Sequence, residues 1–182
     1  MQILKKTELK ALRKAKQLSS RRIISLLSKK GLTGRGGAGF PTAKKWEFAL
    51  NTKSDIKYVI CNADEGEPGT FKDRFIIQKN PETLIEGILI AALAINSKKA
   101  FIYLRKEYES LKNHLQKAIN NVTKKARTDI SVEIILGGGA YVCGEETAII
   151  NSIQGERGQP YYKPPFPPVQ GLWGRPTVIN NV

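Results

Sequence analysis

The segment Gly34-Arg35-Gly36-Gly37-Ala38-Gly39-Phe40-Pro41 places four glycines in six positions. A backbone so short of side chains comes close to a ligand and turns its N–H groups toward an anion. The spacing also satisfies G-x-G-x-x-G, the dinucleotide fingerprint. That fingerprint follows a strand, whereas here the preceding residues carry a helical pattern. Either the match is a coincidence of spacing or the site is a nucleotide site of another design. Two further clusters carry chemistry. One is Asn62-Ala63-Asp64-Glu65-Gly66-Glu67-Pro68-Gly69. The other is Gly137-Gly138-Gly139 followed by Tyr141, Cys143, Gly144, Glu145 and Glu146.

These groups sort by charge. Glu145 and Glu146 open a helical pattern, where the helix dipole stabilises a carboxylate. The same carboxylates repel a phosphate. A bound nucleotide is therefore expected to place its phosphate on the glycine loop, with Lys45 and Arg35 nearby. Carboxylates and amides suit hydroxyl groups, as on a ribose or ribityl chain. One wall for anions and one for hydroxyls fits a phosphorylated polyol such as FMN. Plainer readings stand beside this one. Glu67-Pro68-Gly69 is ordinary turn chemistry. Glu145 and Glu146 are common helix-start charges, and Lys72, Asp73 and Arg74 read equally well as surface ion pairs. Cys61 and Cys143 read as small buried hydrophobes. Phe40, Trp46 and Phe48 read as core, or as aromatics free to stack on a ring. The single histidine, His114, lies in a polar basic segment. With no G-x-S-x-G and no cysteine pair at metal spacing, an organic cofactor carrying its own reactivity is the better expectation.

The elements that must position these groups follow from periodicity. Ser19 or Ser20 caps a helix through Ile23, Ile24, Leu26 and Leu27, which Lys29, Lys30 and Gly31 end. Thr42 offers an N-cap to a helix bearing Trp46, Ala49 and Leu50. Tyr58–Cys61 reads as a buried strand, Pro81–Asn96 as a helix capped by Asn80, and Ala100–Leu104 as a strand. Glu107–Ala126 reads as one long basic helix, Val132–Leu136 as a strand and Glu145–Gln154 as a helix. The Pro- and Gly-rich tail from Gly155 to Val182 is expected to wrap the surface without regular elements. This alternation predicts an α/β fold, a Rossmann-like domain with a parallel sheet flanked by helices, preceded by a basic helical arm and the glycine-rich loop. In such a sheet the loops beyond the carboxyl ends of the strands converge on one cleft. Residues 1–30 are the expected arm and residues 31–182 the nucleotide-binding domain.

Composition bounds the answer. The chain has 182 residues, 41% of them hydrophobic, enough for a core. No run approaches the about 20 apolar residues of a membrane span, because Glu86 and Gly87 interrupt Leu84–Ile95. The net charge of +14 is concentrated in the first thirty residues, including Lys5, Lys6, Lys10, Arg13, Lys14 and Lys16. A solvated or partner-facing helical arm explains it better than nucleic-acid binding.

Four segments then carry a resemblance. They are Gly31–Thr42, Ile60–Arg74, Gly139–Ala148, and Lys163-Pro164-Pro165-Phe166-Pro167 with Gly171-Leu172-Trp173-Gly174 and Ile179-Asn180-Asn181-Val182. Together they resemble the NADH-binding FMN flavoprotein subunit of respiratory complex I, a block shared with subunits of NAD-linked hydrogenases and formate dehydrogenases. The resemblance covers nearly the whole chain. It implies that FMN and NADH share one cavity. Gly34, Gly36 and Lys45 would hold the FMN phosphate side. Asn62, Asp64, Gly66, Tyr141, Gly144, Glu145, Asn180 and Asn181 would line the flavin and its ribityl chain. Phe40, Phe48, Glu67, Glu146, Lys163 and Phe166 would meet NADH, and Glu67 and Glu146 would disfavour the extra phosphate of NADPH. The implied activity is an NADH dehydrogenase that passes hydride from NADH to FMN, with no catalytic acid or base from the protein, and feeds electrons to iron–sulfur subunits toward quinone. The alternatives are a diaphorase subunit of a hydrogenase or formate dehydrogenase, and a non-catalytic nucleotide- or nucleic-acid-binding module. The implied location is cytoplasmic, peripheral to the inner membrane, or the matrix side of a mitochondrion. Members of this family continue into a ubiquitin-like domain and a domain whose cysteines hold a [4Fe–4S] cluster. This sequence carries no ligands for that cluster and reads as the N-terminal part of such a protein.

Overall fold

Three apolar strands joined by helical crossovers can pair only in parallel, and a fourth joins them from the tail. The computed structural model describes residues 7–139 and 141–182; Lys5 and Lys6 of the basic arm and Ala140 of the third glycine segment lie outside the described residues. The elements are α1 (Lys10–Ala15), α2 (Ser20–Lys30), α3 (Thr42–Asn51), β1 (Tyr58–Ala63), α4 (Lys72–Lys79), α5 (Pro81–Ile95), β2 (Lys99–Leu104), α6 (Lys112–Ala126), β3 (Ser131–Leu136), α7 (Glu146–Ile153) and β4 (Thr177–Asn181). The sheet order is β3-β2-β1-β4, with every pair parallel. In register, Asn62 of β1 lies opposite Tyr103 of β2 and Asn181 of β4.

Alternate strand residues supply two cores, as the period of two requires. Val59, Cys61, Ala63, Ala100, Ile102 and Leu104 meet Leu12, Ile24, Trp46, Leu89 and Leu115 from the helices on one face. Ile60, Phe101, Tyr103 and Ile179 meet Cys143, Ile149, Ile150 and Leu172 on the other. The predicted α/β class, parallel sheet and flanking helices are therefore present. Both cysteines are buried.

Several local expectations are corrected. The tail does contain a regular element, β4, because Thr177–Asn181 finds the open side of β1. The long helix expected from Glu107 is broken: Lys106–Leu111 is a 3-10 turn that tucks Tyr108 inward, and α6 begins at Lys112. Thr42 is the first helical residue of α3, and Pro41 occupies the cap position. Helix α4 has no counterpart in the sequence pattern. Asp73, read as a surface charge, is 3% exposed and pairs with Lys72, whose Nζ also donates to the Val182 carbonyl.

The described part of the basic arm lies against the domain. Glu86, the acid that interrupts the apolar run of α5, is buried, and its Oε1 accepts from the Leu12 amide at 2.9 Å. Its other oxygen accepts from the Thr7 hydroxyl. A carboxylate on one helix thus satisfies an amide in the first turn of another. Lys16 Nζ reaches the Arg127 carbonyl just past the end of α6 at 3.1 Å. Glu86→Ala removes the acceptor and leaves that amide unpaired. Urea unfolding should show a loss of about 1–3 kcal/mol, and Glu86→Gln a smaller loss. An unchanged midpoint for the alanine variant would show that α1 does not depend on this contact.

Candidate functional site

In a parallel sheet, a ligand crevice opens beyond the carboxyl ends of the strands where the strand order reverses. Here that point lies between β1, which leads on to β2, and β4, which returns from β3 across the sheet. The glycine loop closes over it. Its neck is a Thr33–Pro41 antiparallel bridge, with Gly34 N–H donating to the Phe40 carbonyl at 2.9 Å and Thr42 N–H to the Leu32 carbonyl at 3.0 Å. Gly37 and Gly39 have φ of 101° and 60°, which a side chain resists. At Gly36 a Cβ would stand 2.7 Å from Asn181 Oδ1, so a side chain there would push the Asn181 amide out of its place at the end of β4.

The cavity between these parts has a volume of about 590 Å³. It brings together thirteen of the residues singled out above: Gly34, Gly36, Phe40, Lys45, Phe48, Asn62, Gly144, Glu145, Glu146, Lys163, Phe166, Asn180 and Asn181. Asp64, Gly66, Glu67 and Tyr141 are outside this lining. They form an adjoining wall in which Tyr141 Oη donates to Glu67 Oε2 at 2.7 Å and the Tyr141 ring lies close against Gly66. Arg35, expected beside a phosphate, is exposed and outside the lining as well.

Each wall is held by specific bonds. Asn62 ties two loops together: its Nδ2 donates to the Gly144 carbonyl at 2.9 Å, and its Oδ1 accepts from the Asp64 amide at 3.0 Å. Glu145 caps α7, accepting from the amides of Thr147 and Ala148 at 2.6 and 3.0 Å. Burial works against its charge, but bonds from Thr147, Ala148 and Lys163 outweigh that and hold its carboxyl below the usual range. Lys163 Nζ bridges Glu145 and Glu146 at 3.1 and 3.0 Å. Burial alone would lower the Lys163 pKa, and the two carboxylates raise it. Lys45 Nζ lies 3.5 Å from Glu146 and donates to the Ile179 carbonyl at 3.0 Å. The acidic loop is clamped from β2: Arg105 donates to the Glu65 carbonyl and pairs with Glu107 at 2.7 Å. Glu65 in turn accepts from the Asp73 amide at the start of α4, at 2.9 Å.

Among the aromatics, Phe40, Phe48 and Phe166 are exposed toward the cavity, while Trp46 is buried. Helical spacing groups Trp46 with the core, yet its Nε1 donates to Asn180 Oδ1 at 2.9 Å. Its one signal in the sequence is its place next to Lys45. Pro168, Val169 and Ile179 also line the cavity, and their types carry no chemical signal. Chemically the cavity offers glycine backbone and Lys45 on one side, carboxylates, amides and Lys163 on another, and three exposed phenyl rings. Among the described residues there is no cluster of acidic, histidine and cysteine side chains fit to hold a metal ion.

Over residues 27–182 the chain matches the family described as the Nuo51 FMN-binding domain. It is 50% identical over 181 residues to an NADH-quinone oxidoreductase subunit of Aquifex aeolicus, a match covering 94% of this chain and 42% of that protein. It is 45% identical over 175 residues to the NAD-reducing hydrogenase HoxS subunit alpha of Cupriavidus necator, covering 91% of this chain and 29% of that one. A chain in the crystal structure of an NAD+-reducing [NiFe]-hydrogenase in the air-oxidized state superposes with a TM-score of 0.86 at 48% identity, over 90% of this chain and 28% of that chain. The chain thus spans less than half the length of these relatives.

Asp64 yields a test that needs no ligand. Its Oδ2 is buried and has no hydrogen-bond partner among the described residues. Burial raises its pKa from 3.8 to about 6, against the pull of Arg105. The folded state therefore holds this proton more tightly than the unfolded state, and stability falls as pH rises from about 4 to about 6. Asp64→Asn should raise the thermal midpoint of the ligand-free protein at pH 8 and give no such gain at pH 4. An equal effect at both pH values would contradict the burial argument.

Proposed function

The chain belongs to the Nuo51 FMN-binding family, and from that membership we propose that it is the FMN- and NADH-binding part of an NADH-oxidising flavoprotein subunit. The observation that carries the reading is the meeting of the glycine loop, the ends of β1 and β4 and the start of α7 on one cavity. The residues present fit FMN. The Gly36 contact brings backbone to the cavity wall, Lys45 supplies a cation beside the loop, and Asn62, Glu145, Asn180 and Asn181 supply partners for hydroxyl and carbonyl groups. When bound, FMN supplies the redox chemistry, accepting a hydride from NADH and releasing electrons singly to an iron–sulfur acceptor.

What this chain does is bind and orient. Gly36 and Lys45 would hold the phosphate end of FMN, and Gly34, whose N–H is taken by the Phe40 carbonyl, would shape the loop around it. Asn62, Gly144, Glu145, Asn180 and Asn181 hold the ribityl chain and ring edge, and the Asp64–Gly66–Tyr141 wall closes that side. Phe40, Phe48 and Phe166 present apolar faces for the rings of NADH, with Lys163, Glu146 and Glu67 around its polar groups. These apolar faces would orient a bound ring and exclude water from it. No side chain is required to move a proton at the reacting atoms. Lys45 and Lys163 already face Glu146, so a dinucleotide phosphate must compete with carboxylates for them. Glu146 and Glu67, among the groups proposed to surround NADH, would repel an added ribose phosphate and so would favour NADH over NADPH.

The likeness to HoxS subunit alpha supports a second reading, a diaphorase part of an NAD-linked hydrogenase, which uses the same cavity in the same way. In either reading the partners are iron–sulfur subunits of a larger assembly. Its place is the cytoplasmic face of the inner membrane, or the matrix side in a mitochondrion, bound through those partners. Among the described residues no helix is long and apolar enough to cross a membrane.

Reconstitution with FMN followed by anaerobic NADH should bleach the flavin band; retained flavin that NADH leaves oxidised would contradict the redox role. Gly36→Val drives side-chain atoms into Asn181 and should weaken FMN retention at least about tenfold, read by flavin fluorescence. Glu146→Gln should lower the ratio of NADH to NADPH oxidation rates. An unchanged ratio would remove Glu146 from the discrimination.

A further inference from the structure

Trp46 is 6% exposed and sits in the apolar stripe of α3. An indole nitrogen is a donor only. Its partner, Asn180 Oδ1 at 2.9 Å, belongs to a side chain with one accepting end and one donating end. The bond therefore decides which way round the Asn180 amide lies. With Oδ1 held by Trp46, the Nδ2 group and its two N–H donors are left over. Among the described residues no acceptor is bonded to that Nδ2, and Asn180 lines the cavity at the end of β4. The neighbouring residue of α3, Lys45, holds the Ile179 carbonyl of the same strand at 3.0 Å. Two consecutive helix residues thus fix the end of β4, one by its backbone and one by a side-chain amide.

We propose that Trp46 is a positioning residue for the cofactor pocket: its indole N–H holds the Asn180 amide so that it offers donors, not an acceptor, to the ligand. This rests on the reading of the cavity as the FMN site. An amide freed from the indole can turn over and set its carbonyl oxygen against a carbonyl or phosphate oxygen of the ligand. A matched donor would then become a repulsive acceptor, with no change in the residues that touch the ligand. Trp46 does not touch the reacting atoms and acts only through Asn180.

The test is a double-mutant cycle on FMN affinity, read by flavin fluorescence without NADH, in wild type, Trp46→Phe, Asn180→Ala and the double variant. Phenylalanine keeps most of the apolar body and removes the N–H. Trp46→Phe should weaken FMN binding about three- to tenfold where Asn180 is present and cause no further loss in the Asn180→Ala background. The same loss in both backgrounds would mean that Trp46 acts through packing, and no loss in either would remove it from the pocket; both overturn the proposal. A second measurement needs no cofactor. The Trp46 indole proton should exchange slowly with solvent in wild type and faster in Asn180→Ala. Unchanged exchange would overturn the assigned orientation. If wild type itself fails to bind FMN, the proposed function fails, and the indole exchange still decides the orientation.

Discussion

Where the strand order of a parallel sheet reverses, the carboxyl ends of the two strands at the reversal are left open to a ligand. Everything at this site depends on that constraint. The strand order β3-β2-β1-β4 sets it between β1 and β4. Asn62 at the end of β1 and Asn180 and Asn181 at the end of β4 then become cavity lining without any further design. The glycine loop, α7 and the segment around Lys163 and Phe166 close the remaining sides. Removing β4 would leave Lys45 and Trp46 of α3 without the strand end that both of them hold.

The electrostatics follow the same geography. The start of α7 favours carboxylates, and Glu145 and Glu146 occupy it. Two such charges beside one cavity require counter-cations, which Lys45 and Lys163 supply from α3 and the tail. The result is a site with both signs close together. It suits a ligand that carries phosphate at one end and hydroxyls along its length. Gly36 brings the loop against the Asn181 amide, an approach that a side chain there would disturb.

Much of this is legible in the sequence, and the reasons are local. The first three strands announce themselves because each is a short apolar run, and two of them, β1 and β3, end in unusual loops. Glu145 is readable as a helix-start charge, although its capping bonds are not. Helix α4 is hidden because its start is stabilised from elsewhere, by Glu65, and its sequence Lys-Asp-Arg reads as surface. Strand β4 is hidden by the turn chemistry around it: a five-residue strand after some twenty residues rich in proline and glycine has no periodicity to show. Asp73 looks exposed because nothing in its neighbours foretells that it is buried beside Lys72, which also donates to the Val182 carbonyl. Trp46 looks like core, and it is core, but spacing says nothing about where an indole N–H points.

The central claim is that the glycine loop and the end of β4 form two faces of one flavin site. Backbone and side-chain amide NMR of the uniformly 15N-labelled protein, titrated with FMN, tests it most directly. The largest shifts should fall together on the Gly34, Gly36 and Gly39 amides and on the side-chain amides of Asn180 and Asn181, while the Gly137 and Gly138 amides stay in place. Shifts confined to the Gly137–Gly139 loop, or to only one of the two faces, would contradict it.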